Sequence, residues 1–205
     1  STKEYDKYFG PYQSYAGVEG TNWQKEVYGR TGKVQSHDLA IRGGSDKINY
    51  NFNYALYDES AIMVGSDFRR NNLSLNLKNK ASEKVDLSFT MRYSNTVIGG
   101  SGANEQKEVS SADSRLKHVV GYAPIDLEGL TTDDTDEAVG SYLVNPFVAI
   151  ADTDRKQIRN NFNMLGSFSW KIINDLQFKS DFGLDVYDNL DYCFYGRSTY
   201  YVNNI

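Results

Sequence analysis

The sequence predicts an all-β protein that contributes about six strands to an antiparallel transmembrane β-barrel with long extracellular loops. Apolar and polar residues alternate over stretches longer than the roughly 5–6 residues of an ordinary globular strand. Tilted strands that cross a bilayer need roughly 9–11 residues, which fits these stretches better. Short and long connections also alternate along the chain. In an antiparallel barrel this arrangement places the short turns on one side of the membrane and the loops on the other.

The strand that begins at Ile48 shows the alternation most clearly. One face carries apolar and aromatic side chains, namely Ile48, Tyr50, Phe52, Tyr54 and Leu56. The other face is mainly polar and consists of Asn49, Asn51, Asn53, Ala55 and Tyr57. A period of two residues indicates a strand rather than a helix. The two faces fit a wall with lipid on one side and a water-filled lumen on the other.

The remaining predicted strands follow the same rule. In chain order they cover about Gln35–Arg42, Asn72–Lys78, Val85–Ser94, Ile158–Trp170 and Leu176–Val186. Their polar faces carry charged side chains such as Arg92 and Asp181, which a dry core would not tolerate without partners. Trp170 and Phe178 flank the last short turn, where an interfacial aromatic girdle belongs. We therefore expect the polar faces to line the lumen and the apolar faces to meet lipid.

The connections predict a fragment of a larger barrel. Short turns are expected at residues 43–46, 79–84 and 173–175, and a longer connection at Asp58–Asp67. Alternation is absent from Thr96 to Lys156, which predicts a large outer loop with a helix at about Ser111–Val120. Aromatic loops are expected over residues 1–34 and after Asp188. Because the smallest wet barrels have about eight strands, residues 1–205 are expected to be part of one larger barrel domain.

Composition and motifs exclude several classes of function. A net charge of -5 and a pI near 5.1 exclude a basic nucleic-acid-binding surface. The sequence has no run approaching the roughly 20 apolar residues of a membrane helix. Cys193 is alone, so no internal disulfide is possible. No nucleophile paired with a base is visible, so neither an enzyme nor a cofactor is expected.

Metal binding is also not expected. His37 and His118 are far apart in sequence, and neither has metal-ligand spacing around it. An acidic group consists of Asp133, Asp134, Asp136 and Glu137. Carboxylate oxygens suit Ca²⁺, but the spacing does not match the EF-hand pattern. A solvated acidic loop is the preferred interpretation.

Three stretches resemble the SusC/RagA-like TonB-dependent transporters of Bacteroidota outer membranes. They are Thr21–Val27, His37–Tyr50, and Gly65–Arg70 with the following Leu75–Leu77. The resemblance is strong from about Asn22 to Lys78 and general beyond it. Ala61 stands where this family usually has glycine, and Ser74 where a basic residue is common. Neither departure disturbs the alternation, so both leave the fold unaffected and the substrate open.

The resemblance implies an outer-membrane barrel of about 22 strands with an N-terminal plug, energised by TonB and covered by a SusD-like surface lipoprotein. The plug and the TonB contact would lie outside these residues. The implied function is import of an oligomeric nutrient, either a glycan or a peptide.

Candidate ligand-binding residues fall into two groups. In the outer loop, Tyr122, Tyr142 and Phe147 offer flat aromatic faces for sugar rings or peptide side chains. On the lumen face, the candidates are Asn51, Asn53, Arg92 and Asp181. Two alternatives stay open at this point. One is a secreted carbohydrate-binding β-sandwich, and the other is a barrel that acts as an enzyme or a passive porin.

Overall fold

Six long strands dominate the computed structural model, which describes residues 17, 19–100, 119–122, 124 and 145–197. The strands are β1 (Lys33–Gly44), β2 (Ile48–Ser60), β3 (Asp67–Lys80), β4 (Val85–Gly99), β5 (Thr153–Ile173) and β6 (Leu176–Tyr195). Two short helices accompany them, α1 (Trp23–Tyr28) and α2 (Pro146–Ala151). No helix in the described residues is long and apolar enough to cross a membrane.

The strands form one antiparallel sheet in the order β1-β2-β3-β4-β5-β6. Each strand therefore pairs with its neighbours in sequence, and within the described residues the sheet does not close on itself. The connections β1–β2, β3–β4 and β5–β6 are short and share one end of the sheet, which we call the turn end. The connections β2–β3 and β4–β5 share the other end, which we call the outer end. The predicted antiparallel fold is confirmed. The short turns lie at one end of the sheet and the loops at the other, as predicted.

The register gives the sheet one apolar and one polar face. A typical apolar row runs across all six strands through Ile41, Phe52, Leu75, Met91, Met164 and Leu184. A typical polar row runs through Ala40, Asn53, Ser74, Arg92, Asn163 and Asp185. Among the described residues, the buried apolar side chains are Val27, Val119 and Pro146, and none of them belongs to the sheet. The sheet thus has no dry core, and its exposed apolar face requires lipid.

A row of hydrogen-bonded asparagines interrupts the apolar face near the outer end. Asn71, Asn95 and Asn160 lie side by side in this row. Asn160 Oδ1 accepts hydrogen bonds from Asn95 Nδ2 at 2.7 Å and from Tyr93 Oη at 3.1 Å. Tyr54 Oη donates to Asn71 Oδ1 at 2.8 Å. Polar groups that satisfy one another beneath tyrosine rings are typical of a membrane–water boundary.

The height of the apolar band matches a bilayer. On β4, the outward residues between the turn end and the asparagine row begin at Val85 and end at Tyr93. Eight residue steps at about 3.4 Å give roughly 27 Å along the strand. With a tilt of about 40°, this corresponds to roughly 20 Å along the membrane normal, close to the roughly 25 Å band of outer-membrane barrels.

Several predicted boundaries were wrong because the strands are longer than the clearest alternation. The β2–β3 connection comprises only residues 61–66 rather than Asp58–Asp67. The loop predicted after Asp188 begins only after Tyr195, because Tyr192 and Phe194 still pair with β5. Tyr200 and Tyr201 of that prediction lie outside the described residues.

The predicted loop elements are also partly corrected. Residues 1–34 are not all loop, since they include α1 and the start of β1. Of the helix predicted at Ser111–Val120, only Val119 and Val120 are described, and both are helical. They do not share one face as expected, because Val119 is buried and Val120 is 67% exposed.

Candidate functional site

A small folded unit stands at the outer end of the sheet. It consists of residues 21–30, the β2–β3 turn at 61–66, residues 119–122 with Pro124, and α2, and we call it the outer cap. Val27 of α1 is completely buried in it. Backbone hydrogen bonds join its parts, from Val64 N to Val27 O at 3.0 Å and from Thr21 N to Pro124 O at 2.6 Å. The cap therefore brings together segments that are far apart in sequence.

Local sequence signals set the limits of α1. Asn22 caps its N-terminus, because Asn22 Oδ1 accepts a hydrogen bond from Lys25 N at 2.9 Å. The helix ends at Gly29, whose backbone N–H donates to Lys25 O at 2.7 Å. A Cβ at Gly29 would collide with that same carbonyl. Trp23 and Val27 are four residues apart in this short helix and therefore lie on the same face.

Arg30 fastens the outer cap to the barrel wall. Its Nε and Nη2 donate to Ala61 O at 2.9 and 2.6 Å, and Nη2 also lies 3.1 Å from Met63 O. A further bond reaches Ser66 O at 3.2 Å, and Asp67 lies 3.7 Å away. The planar guanidinium can satisfy several acceptors at once. Arg30 therefore fixes the shape of the β2–β3 turn, a role that alternation cannot predict.

An aromatic cluster forms part of the outer cap. The rings of Trp23 and Tyr122 meet edge to face, with centroids 5.4 Å apart and planes at 85°. Phe147 lies on the other side of Trp23, at 6.2 Å and 58°. Two of the three aromatic residues predicted to bind ligand thus contact one shared ring. The third, Tyr142, lies outside the described residues.

The lumen-face candidates lie on the wall, away from the aromatic cluster. Asn53 Nδ2 donates to Ser74 Oγ at 3.2 Å, and Ser74 is opposite Arg92, so Asn53 and Arg92 share one row. Asn51 lies one row nearer the turn end, and its buried Oδ1 has no hydrogen-bond partner within the described part of the chain.

Asp181 does not join the other lumen-face candidates. It lies near the turn end of β6, where Ser167 Oγ donates to it. Lys179 Nζ is 3.4 Å from its carboxylate. The structure therefore places Asn53 and Arg92 together with Asn51 close by, and Asp181 in a separate, locally paired site.

Two lumen-face arginines were not among the predicted site residues. Arg70 on β3 and Arg159 on β5 both lie opposite Thr96 of β4. Alternation alone puts each of them on the polar face, but their common neighbour follows only from the register. Where the structure describes the chain, no group of three His, Cys, Asp or Glu side chains is placed to hold a metal ion. The predicted acidic loop and His118 lie outside those residues.

Comparisons with known proteins show which barrel walls this sheet is similar to. The "TonB-dependent receptor P3" of Formosa agariphila is 21% identical over 169 residues, which cover 82% of this chain and 17% of that protein. The RagAB peptide importer in its closed-closed state matches 84% of this chain and 19% of its own, with a TM-score of 0.59 and 16% identity. A second RagAB peptide transporter structure matches 91% of this chain and 22% of its own, again with a TM-score of 0.59 and 16% identity. The sheet is similar in fold to a segment of a SusC/RagA-like barrel wall.

These likenesses bear on the predicted fold and location. The predicted SusC/RagA-like barrel segment and its location in the bacterial outer membrane are confirmed. No family model matches the chain. The chain spans about a fifth of the length of the proteins it matches, with 17% to 22% of each covered. A β-sandwich needs two packed sheets, whereas the described residues form a single sheet.

Proposed function

We propose that the complete protein imports an oligomeric nutrient, a glycan or a peptide, across the outer membrane with energy from TonB. The observation that carries this proposal is the six-strand register, which gives a continuous polar lumen face behind an apolar outer face. The similar proteins are a TonB-dependent receptor and a peptide importer. In this proposal residues 1–205 belong to one barrel domain, and the plug and TonB contact lie outside them.

The outer cap supports active import rather than passive diffusion. The wall of a passive porin needs only loops that connect its strands. This wall instead carries a folded unit in which Val27 is buried and Arg30 is held by hydrogen bonds. Rigidly positioned loops on a barrel are where binding residues usually lie. In this proposal a SusD-like surface lipoprotein covers the outer end and contacts the cap.

The predicted site residues have separate roles in this proposal. Tyr122 and Phe147 contact cargo or lipoprotein at the outer cap, and Tyr142 contacts the same ligands. Deeper in the barrel, Asn51, Asn53 and Arg92 line the path of the cargo, and Asp181 lies near its periplasmic end. None of them has a catalytic role.

The test of transport is depletion of nutrients from the medium by the native host. Cells receive a mixed oligopeptide digest or a mixed oligosaccharide digest, and mass spectrometry follows each pool over time. Wild-type cells should deplete one pool, while strains lacking this gene or lacking TonB should not. Depletion that continues without TonB would exclude the transporter class and favour a porin.

The test of the lipoprotein lid is co-purification from detergent-solubilised membranes. Phe147 is 36% exposed at the outer cap, so Phe147→Asp should reduce the amount of lipoprotein recovered with the barrel. Trp170, 43% exposed at the turn end, supplies the matched control, and Trp170→Ala should leave the recovery unchanged. Equal recovery of the lipoprotein with both variants would show that the outer cap does not form the proposed contact.

A further inference from the structure

Three arginines form a triangle on the lumen face. Arg70 and Arg159 flank Thr96 from the two neighbouring strands, so their Cα atoms are about 10 Å apart at the usual strand spacing. Arg92 lies on β4 itself, four residues closer to the turn end than Thr96. At about 3.4 Å per residue, it is roughly 14 Å from the other two. We call these three residues the arginine triangle.

Within the described part of the chain, the arginine triangle lacks the acidic partners that other arginines, such as Arg69, have. Arg69, next to Arg70 but on the outward face, lies 3.8 Å from Asp58. By contrast, no described carboxylate lies within ion-pairing distance of any member of the triangle. Arg159 donates only to the neutral side chain of Gln157, with Nη2 2.6 Å from Oε1. All three arginines are exposed.

The surface between the three arginines is neutral and rich in amides. Within the triangle, the lumen-face residues of β3, β4 and β5 are Asn72, Ser74, Ser94, Thr96, Asn161 and Asn163. In the same rows, the acids Asp38 and Asp185 lie only on β1 and β6, and the next lumen-face row toward the outer end holds Glu59 on β2 and Asp191 on β6. The chain as a whole carries a net charge of -5, yet this area of the lumen is positive. Such a field inside a barrel attracts anions from solution and raises their local concentration.

We infer that the arginine triangle selects peptides with acidic side chains, an inference that rests on the proposed import function. Guanidinium groups bind carboxylates through paired, charge-assisted hydrogen bonds. Three of them at spacings of about 10 and 14 Å can engage several carboxylates of one extended oligomer. Because none of the three has a carboxylate partner among the described residues, their charges are available to cargo.

The chemistry around the triangle favours a peptide over an acidic glycan. Asparagine side chains offer both donors and acceptors, which match the N–H and C=O groups of a peptide backbone. The lumen-face residues of β3, β4 and β5 between the three arginines include no aromatic side chain on which a sugar ring could stack. Lumen-face rings border this area, with Tyr57 opposite Arg70 and Tyr187 opposite Asn161. The lumen-face surface of the triangle is therefore polar along its length, which suits an extended peptide chain.

The experiment compares two peptides of equal length, one with glutamate and one with glutamine at alternate positions. Full-length protein is purified with its outer-membrane partners, and affinities are measured by fluorescence anisotropy. We expect the wild type to prefer the acidic peptide by about tenfold, and the triple variant R70Q/R92Q/R159Q to lose that preference. Raising the salt concentration should narrow the wild-type difference, because these contacts are exposed to water.

Arg69→Gln is the matched control, since it removes a guanidinium one residue away but on the lipid-facing side of the sheet. This variant should keep the full preference. Equal affinity of the wild type for both peptides, or an unchanged preference in the triple variant, would overturn the inference. Stronger binding of an oligouronate of the same length than of the acidic peptide would overturn the assignment to peptides.

Uptake measurements distinguish a failure of this inference from a failure of the proposed import function. The same peptides are offered to host cells that carry the wild type or the triple variant, with surface protein levels matched. TonB-dependent uptake of both peptides at equal rates would refute acidic selectivity and leave import standing. Binding of the acidic peptide without any TonB-dependent uptake would refute the import function and leave the arginine triangle as a binding site.

Discussion

Placing a charge on the lipid-facing side of β4 tests the assignment of the two faces. Phe89 is the central residue of the outward apolar band on β4, which begins at Val85 and ends at Tyr93. It lies opposite Leu77 and Gly166 and therefore near the bilayer midplane. An arginine at the midplane of a barrel wall costs about 2–4 kcal/mol. We expect Phe89→Arg to lower the free energy of unfolding by about that amount.

The control is its neighbour Ser88, which faces the lumen opposite Lys78. Ser88→Arg places like charges across one strand pair in contact with water, which costs at most about 1 kcal/mol. Both free energies of unfolding are measured by denaturant titration of the full-length barrel in lipid vesicles. Equal costs, or a larger cost for Ser88→Arg, would refute the assignment of apolar residues to lipid.

Three further predictions concern the outer cap and the orientation of the sheet. Arg30→Leu removes a guanidinium that binds three carbonyls of the β2–β3 turn. Amide hydrogen exchange in that turn should therefore accelerate at least tenfold, while the strands stay protected. Unchanged exchange in the turn would contradict the role of Arg30 in fastening the cap. Gly100 has φ +75° and a backbone carbonyl where its Cβ would be, so Gly100→Ala should destabilise the outer cap by about 1–3 kcal/mol. At Gly99 the nearest atom to an added Cβ is 3.9 Å away, so Gly99→Ala should be nearly neutral in the same thermal unfolding assay, and the reverse order would refute this reasoning. With the native cysteine removed, an impermeant thiol reagent on intact cells should label Ile62→Cys at the outer end and not Ser82→Cys at the turn end; the opposite pattern would invert the orientation.

The sequence predicts the position of a site residue only where the alternation within a single strand is sufficient. Asn53 and Arg92 were placed on the lumen face by alternation, and the register confirms that they share a row. Tyr122 and Phe147 were selected for their ring chemistry, but their common contact with Trp23 was not foreseen. Contacts of this kind depend on the path of the chain through the outer cap. Apolar and polar residues do not alternate there, so the sequence does not predict which side chains meet.

Alternation along the chain determined the fold class by itself. In a strand, successive side chains point to opposite faces, so the order of apolar and polar residues specifies which face meets lipid and which meets water. β6 extends beyond its predicted end because polar residues such as Asp188 interrupt the apolar face at the membrane boundary. Pairing continues past them, since backbone hydrogen bonds do not depend on side-chain polarity.

Only the tertiary structure decided which residues from different strands and loops meet. Arg70 and Arg159 are far apart in sequence, yet both flank Thr96 because β4 pairs with β3 and β5 in one particular register. Arg30 reaches the β2–β3 turn because Val27 is buried in the outer cap and fixes the direction of the chain. Alternation constrains each strand separately, whereas register and loop packing depend on the free energy of all the segments together.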